Sequence, residues 1–305
     1  MIDIAVVVVT FNSAAHVDRL LTSLDPALGD LRARMVVVDN HSTDDTVARV
    51  RSHGRAEVVV QPDNRGYAAA INVGLERTPE APAVLVLNPD LILDAGSIPA
   101  LLAASRERVV GVVVPQMRTP DGAIFRSLRR EPTVGRALGT AVMGGRLAGL
   151  FPRFSETIED VRSYSHRRDV DWATGAAMLV TRECVEATGP WDESFFLYSE
   201  ETDFAERVRR AGFRILYEPS AVVTHIGGEG TTSPRLRTMM ALNSIRYFSR
   251  RHGPLPSAAF YAVVLWNEVT RAALGNDAAR AAALGLVSPR ARPPELACSR
   301  RLMPR

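Results

Sequence analysis

Five consecutive apolar residues at positions 83–87 follow Pro82 and run directly into Asn88-Pro89-Asp90. A short apolar run without alternation reads as a strand buried on both faces, which in turn requires a sheet covered by helices on each side. Proline cannot continue a central strand, and it biases the residue before it towards extended geometry, so the strand stops here. Asp90 is therefore delivered at the carboxyl end of a central strand, where open α/β sheets bind their ligands. A carboxylate beside an amide oxygen suits a hard divalent cation that also holds phosphates, although the same three residues also make an ordinary Asx turn.

The pattern repeats upstream. Residues 4–9, 35–38 and 57–61 read as strands, with helices predicted over 14–24, 46–53 and 68–76. Strand and helix in alternation predict an α/β fold, a Rossmann-like and mostly parallel sheet. No Gly-x-Gly-x-x-Gly follows the first strand, and the chain contains no lysine, so neither the dinucleotide grip nor the Walker loop is present. Acids and amides follow the strands instead: Asn12, Asp39, Asn64 and Asp90. Such groups read a base and ribose by hydrogen bonds or hold a cation. Capping of the next helix is the alternative for Asn12 and Asp44. A helix over 96–108 and a strand over 109–114, ending at Pro115, complete this half.

Residues 126–168 lose clean periodicity and read as a partly mobile connection with some helix. There, Arg126, Arg129 and Arg130 either meet a pyrophosphate or form a solvated basic face. Order returns at Asp171-Trp172-Ala173-Thr174-Gly175, before a strand; Gly175 marks a close backbone approach, and Trp172 suits either a sugar ring or the core. Ser199-Glu200-Glu201-Thr202-Asp203 then opens a helix over 204–211. Carboxylates compensate a helix dipole, but three within four residues exceed that need. Their mutual repulsion raises at least one pKa, which is how a general base near neutral pH is made. Strands over 213–217 and 221–224 lead to His225, at a strand end before a glycine-rich loop and so a candidate metal ligand.

At 305 residues, with 46% hydrophobic and 23% charged, the chain reads as a soluble globular protein with one large domain and an appendage. Its basic residues are all arginine, which suits phosphorylated ligands or reflects genome composition. Cys184 and Cys298 lack metal-ligand spacing, and the N-terminus lacks the regions of a signal peptide. No run reaches the ~18 apolar residues of a membrane span. A reduced, cytoplasmic setting is expected, with no nucleic-acid partner.

Taken in order, these motifs resemble the inverting GT-A glycosyltransferases of family 2, in the rhamnosyltransferase-like branch. The residues that carry the resemblance are Thr10-Phe11-Asn12, Asp39-Asn40, Asn64-Arg65-Gly66-Tyr67 with Asn72, Asn88-Pro89-Asp90, Trp172 to Gly175, Trp191-Asp192-Glu193, the 196–203 segment and His225. The resemblance implies a nucleotide-sugar pocket formed by Thr10, Asn12, Asp39, Asn64, Arg65, Gly66, Asn72, Asn88 and Asp90. It implies that Mg²⁺ or Mn²⁺ is held by Asp90 and His225, with Glu201 as base beside Glu200 and Asp203. Trp172, Gly175, Trp191 and Asp192 fall on the acceptor side. Asn88 stands where the family's metal motif has its first acid, and Glu201 where an aspartate is usual. The implied donor is dTDP-L-rhamnose and the implied acceptor a polyprenyl-diphosphate-linked sugar or cell-envelope polysaccharide. A UDP-sugar-dependent transferase and a non-catalytic nucleotide-sugar-binding protein are the alternatives.

The expected organisation is a GT-A domain over 1–230, split into a nucleotide-sugar half (1–115) and an acceptor half (116–230), a helical extension over 231–288 and a disordered tail over 289–305. The extension begins with a basic amphipathic helix over 236–251, and a second, apolar helix follows over 258–274; both suit an anionic membrane surface at the inner face of the cell membrane, or packing on the domain or a homodimer partner.

Overall fold

The computed structural model describes residues 2–227 and 233–296. Its first half alternates strand and helix: β1 (Ile4–Thr10), α1 (Val17–Leu28), β2 (Ala33–Asp39), α2 (Thr46–His53), β3 (Glu57–Val60), α3 (Tyr67–Glu76), β4 (Ala83–Leu87), β5 (Leu91–Leu93), α4 (Ser97–Ala104) and β6 (Val110–Arg118). The second half is less regular: β7 (Leu128–Arg129), α5 (Val134–Met143), α6 (Gly145–Gly149), β8 (Arg168–Asp169), β9 (Trp172–Ala173), β10 (Ala177–Thr181), α7 (Arg182–Thr188), α8 (Glu200–Arg210) and β11 (Arg214–His225). Three helices follow: α9 (Pro234–Ser249), α10 (Pro254–Ala273) and α11 (Asp277–Val287).

Nine strands form one sheet in the order β3-β2-β1-β4-β10-β6-β11-β5, with β8 added against β11. The pairs β1–β2, β1–β4, β2–β3 and β6–β11 are parallel, while β10 runs antiparallel to β4 and β6. From β1 the chain first builds outwards to β2 and β3, then returns to place β4 on the other side. That reversal opens a crevice at the carboxyl ends of β1 and β4, where Thr10 and Asn88 emerge.

Along β1, Ile4, Val6 and Val8 enter one apolar cluster, and Ala5, Val7 and Val9 enter another on the opposite face. Both faces are buried, which explains why β1 and β4 carry no polar alternation. The amphipathic α1 turns Leu20, Leu24 and Ala27 onto the first cluster; Phe204 and Val208 of α8 pack into the second.

Several boundaries differ from the sequence reading. The helix expected over 96–108 ends at Ala104. β6 passes through Pro115 to Arg118; β10 pairs only with Val112 and Val113, and on the other side the β11 ladder becomes irregular after Glu218, the residue opposite Pro115. The strands expected over 213–217 and 221–224 are one strand, β11, with an irregularity between Glu218 and Val222. The 126–168 connection carries α5, α6 and two short strand segments. α9 packs back on the domain: Met239, Leu242, Ile245 and Phe248 form a third core with Phe260 and Leu286, so its apolar face is interior. Residues 289–296, expected to be disordered, form two short 3₁₀ turns and bury Leu296 in that core. The rest of the expected tail, 297–305, lies outside the described residues.

Candidate active site

Four segments converge above the crevice. The loop after β1 is tied to the loop after β2: Asn12 N–H donates to Ser42 Oγ (2.8 Å), Thr43 N–H donates to Asn12 Oδ1 (2.8 Å), and Ser13 N–H donates to Thr46 Oγ1 (2.7 Å). Asn12 thus bridges two loops instead of capping α1, which starts only at Val17. Beneath them Asp39 is 1% exposed, its Oδ1 accepting from Thr10 Oγ1 (2.7 Å) and Ser42 Oγ (2.6 Å) and its Oδ2 from Ser42 N–H (2.8 Å). Both oxygens of Asp39 hold the loop.

The next wall comes from the start of α3. Asn64 Oδ1 accepts from Gly66 N–H (3.0 Å), and Asn40 Nδ2 donates to Gly66 O (3.1 Å). Gly66 has φ 93° and ψ 175°, and a Cβ there would meet Phe196 O at 2.3 Å. This contact welds the halves together, because Tyr67 N–H donates to Phe196 O (2.9 Å) and Tyr67 OH to Gly175 O (3.2 Å).

Asp90 leaves the end of β4, and β5 then pairs with β11 so that Leu91 lies opposite His225. That register brings Asp90 Oδ2 to 3.1 Å from His225 Nε2, across 135 residues of sequence. Ile226 N–H donates to Asp90 O (2.9 Å), and the edge of Phe125 meets the His225 ring at 5.6 Å between centroids. Asp90 Oδ1 and His225 Nδ1 have no hydrogen-bond partner.

Opposite stands the first turn of α8. Tyr198 and Ser199 both have φ 70°, an uncommon conformation for side-chain-bearing residues, and together they aim Glu200 and Glu201 into the cavity. Glu201 Cβ lies against Gly175, as the glycine's close approach implied. Glu200 is 3% exposed, and Oε2 of each glutamate lacks a partner. Burial raises the Glu200 pKa well above the ordinary range, and the neighbouring Glu201 charge adds to it. Burial likewise raises Glu201, with the Arg129 guanidinium opposing the shift. Burial thus favours the neutral form of both, more strongly for Glu200.

These segments enclose a cavity of about 770 Å³ that Thr10, Asn12, Asn64, Gly66, Asn88, Asp90, Gly175, Glu200 and Glu201 line together. Other expected residues stand elsewhere. Arg65 pairs with Glu193 (2.8 Å) beside a second, smaller pocket. Asn72 binds the Trp191 backbone in both directions (2.8 and 3.0 Å) and so braces the wall from behind. Trp191 is buried and stacks on Phe204 at 4.3 Å, so its ring is closed to a sugar. Trp172 is buried too, its Nε1–H donating to Arg130 O (3.0 Å). Asp192 pairs with Arg250 (2.6 Å). Asp203 binds Arg207 (2.9 Å) and Arg251, which makes it an anchor for α8 and not a reacting group. Sequence reasoning missed Tyr67, Phe196 and Tyr198 as lining, and also Arg235 and Glu295, which form an ion pair at the cavity rim. Only the aromatic run before the acidic cluster signalled any of these.

The profile of Glycosyl transferase family 2 matches residues 5–169. The chain belongs to glycosyl transferase family 2. Within this family it is 33% identical over 234 residues to an N-acetylglucosaminyl-diphospho-decaprenol L-rhamnosyltransferase of Mycobacterium tuberculosis, covering 72% of this chain and 75% of the relative. Among solved structures, it resembles a mannosyltransferase from Pyrobaculum calidifontis in complex with GDP-Man and Mn²⁺ (TM-score 0.57, 19% identity, 97% of this chain and 78% of that one). It also resembles TarS of S. aureus in complex with UDP-GlcNAc (TM-score 0.52, 16% identity, 92% and 90%). These likenesses establish the GT-A fold with a C-terminal helical extension, and the family 2 transferase is a glycosyltransferase. No helix among its described residues is long and apolar enough to cross a membrane.

Proposed function

We propose that this family 2 member is an inverting, metal-dependent rhamnosyltransferase that moves L-rhamnose from dTDP-L-rhamnose to a polyprenyl-diphosphate-linked sugar at the cytoplasmic face of the membrane. The observation that carries the reading is one cavity lined on one side by Asp90, which His225 backs at 3.1 Å, and on the other by Glu201, whose Oε2 lacks a partner. The rhamnosyltransferase relative supports the sugar and the class of acceptor.

In this reading residues 1–115 bind the nucleotide sugar, with Thr10, Asn12 and Asn64 at the base and ribose and Asp39 holding their loop. Residues 116–230 receive the acceptor near Gly175. Asp90 and His225 offer one carboxylate oxygen and one ring nitrogen without partners, with the Asn88 amide nearby. Among the described residues no cluster of three acids, histidines or cysteines forms a cage. Two protein ligands plus diphosphate oxygens and water fit Mg²⁺ or Mn²⁺, which rely on substrate phosphates for much of their shell. When bound, the cation supplies charge neutralisation for the departing diphosphate. The Glu201 carboxylate accepts the proton of an acceptor hydroxyl as that oxygen bonds to the anomeric carbon. The bond from that carbon to the diphosphate oxygen breaks on the opposite face, and the configuration inverts. Of the two glutamates, burial favours the neutral form more strongly in Glu200, which leaves Glu201 as the carboxylate that takes the proton.

Thermal-shift binding of dTDP-L-rhamnose, UDP-galactose, UDP-N-acetylglucosamine and GDP-mannose, each with and without Mn²⁺, tests this assignment. Selective stabilisation by dTDP-L-rhamnose with metal is expected, about 2.7 kcal/mol at a hundredfold excess over Kd. Preference for a UDP-sugar would overturn the rhamnosyl assignment. No shift with any donor would overturn the enzymatic one.

A further inference from the structure

α10 is apolar on its outward face as well as on the face that packs against the third core. Its exposed positions are apolar apart from Thr270: Leu255, Ala262, Trp266 and Val269, with Leu274 just beyond, are all exposed. Leu255 and Leu274, at the two ends of this stripe, are each 83% exposed. The helix carries a single acid, Glu268, and turns it inwards, where it forms a bidentate pair with Arg237 of α9 (2.6 and 3.0 Å). Its single arginine, Arg271, is half-buried and donates to Asn267 (3.1 Å). The outward face is thus uncharged along 20 residues, about 30 Å of helix. Soluble helices place polar residues outwards, and a contiguous exposed apolar surface marks an interaction site.

The stripe has a neighbour of the same character. α5 packs beside α10, and its Val134 and Ala137 pack against the third core as Val264 and Leu265 of α10 do. Its own outer residue Val142 is exposed, as are Leu147, Leu150 and Phe151 of the turn that follows. Exposed arginines without acid partners among the described residues lie on adjoining elements, Arg153 beyond α6, Arg280 on α11, which packs on α10, and Arg290 after it; the exposed acid Asp277 stands three residues before Arg280.

We infer that the outward face of α10, together with the α5–α6 hairpin, is a docking surface for an anionic lipid bilayer. Apolar side chains enter the interface while the arginines meet lipid phosphates. The flanking charge favours a bilayer over a second copy of this chain, because isologous pairing along α10 would bring like-charged arginines together. Of the two helices that the sequence offered for such a surface, α9 turns its apolar face into the core and α10 leaves an apolar face outward. The inference rests on the lipid-linked acceptor proposed above, for which it supplies the means of approach.

The test uses the full chain and vesicles of phosphatidylcholine with and without phosphatidylglycerol, containing no acceptor. Trp172 and Trp191 are buried, so a change in tryptophan emission reports chiefly on Trp266. Co-sedimentation with the anionic vesicles only, weakened by salt and accompanied by a blue shift, is the expected result. Leu255→Glu and Val269→Glu should each reduce vesicle binding at least about tenfold, with donor-induced thermal stabilisation retained as proof of folding. Absence of anionic-vesicle binding, or binding that both variants leave intact, would overturn the inference. So would a concentration-dependent dimer in lipid-free solution that buries Trp266 and that Val269→Glu dissociates. Donor binding measured in parallel separates the two readings: its failure with vesicle binding intact would sink the transferase assignment alone.

Discussion

Gly66→Ala probes the joint between the two halves of the fold. Gly66 has φ 93° and ψ 175°, a region that only glycine occupies without strain, so alanine costs about 1–3 kcal/mol in the backbone. Its Cβ would stand 2.3 Å from Phe196 O and 2.8 Å from Phe196 Cα. Both are backbone atoms, so relief requires moving the chain, at about 1–3 kcal/mol more. The sum, about 2–6 kcal/mol, is a large share of the ~5–15 kcal/mol that holds a typical domain. Gly54→Ala is the control, because Gly54 has φ 67° with open space around its Cβ position, and costs only about 1–2 kcal/mol. Urea unfolding of both variants yields the comparison. Donor binding should weaken in Gly66→Ala as well, since Phe196 leads within a few residues to the turn that aims Glu200 and Glu201. Equal destabilisation by the two substitutions would refute the claim that the Gly66–Phe196 contact joins the halves.

Three further outcomes are expected. Glu200→Gln mimics the protonated side chain and should lower turnover by less than about tenfold, well short of what loss of a general base costs; a larger loss in steady-state assays would make Glu200 the base. Asp90→Asn should raise the Mn²⁺ concentration for half-maximal turnover by about 10–100-fold, and an unchanged metal titration would remove Asp90 from the metal site. Burial raises the Glu156 pKa from 4.5 to about 7. The folded chain therefore holds this proton more tightly than the unfolded chain. The stability it confers is complete below about pH 4.5 and lost as pH rises through about 7. Glu156→Gln should flatten the decline of the urea midpoint across that window, and an unchanged slope would contradict the assignment.

The sheet was legible because its strands are buried on both faces and its helices are amphipathic, which are local patterns. Asp90 and Gly175 were legible for the same reason: a strand end and a glycine have local meaning. The meeting of Asp90 with His225 was suggested only by family resemblance, because it depends on the register of β5 against β11, set by pairing and not by neighbours in the chain. The roles expected for Trp191 and Asp203 failed where the structure supplied partners that the sequence hid, the Phe204 ring for one and Arg207 with Arg251 for the other. The consecutive left-handed residues Tyr198 and Ser199 carry no glycine signal, so the turn that aims the acids was invisible. The membrane-facing orientation expected for α9 failed because an amphipathic pattern does not say whether its apolar face meets a bilayer or the core, and α10 and α11 cover it.

The central claim is that Glu201 is the base in a cavity whose donor site is otherwise independent of it. The measurement that tests this most directly is turnover and donor affinity of Glu201→Gln on the same preparation. A fall in turnover of about 10²–10⁴-fold is expected, with donor Kd within about threefold of the unsubstituted protein. Turnover within tenfold of the unsubstituted protein would contradict it.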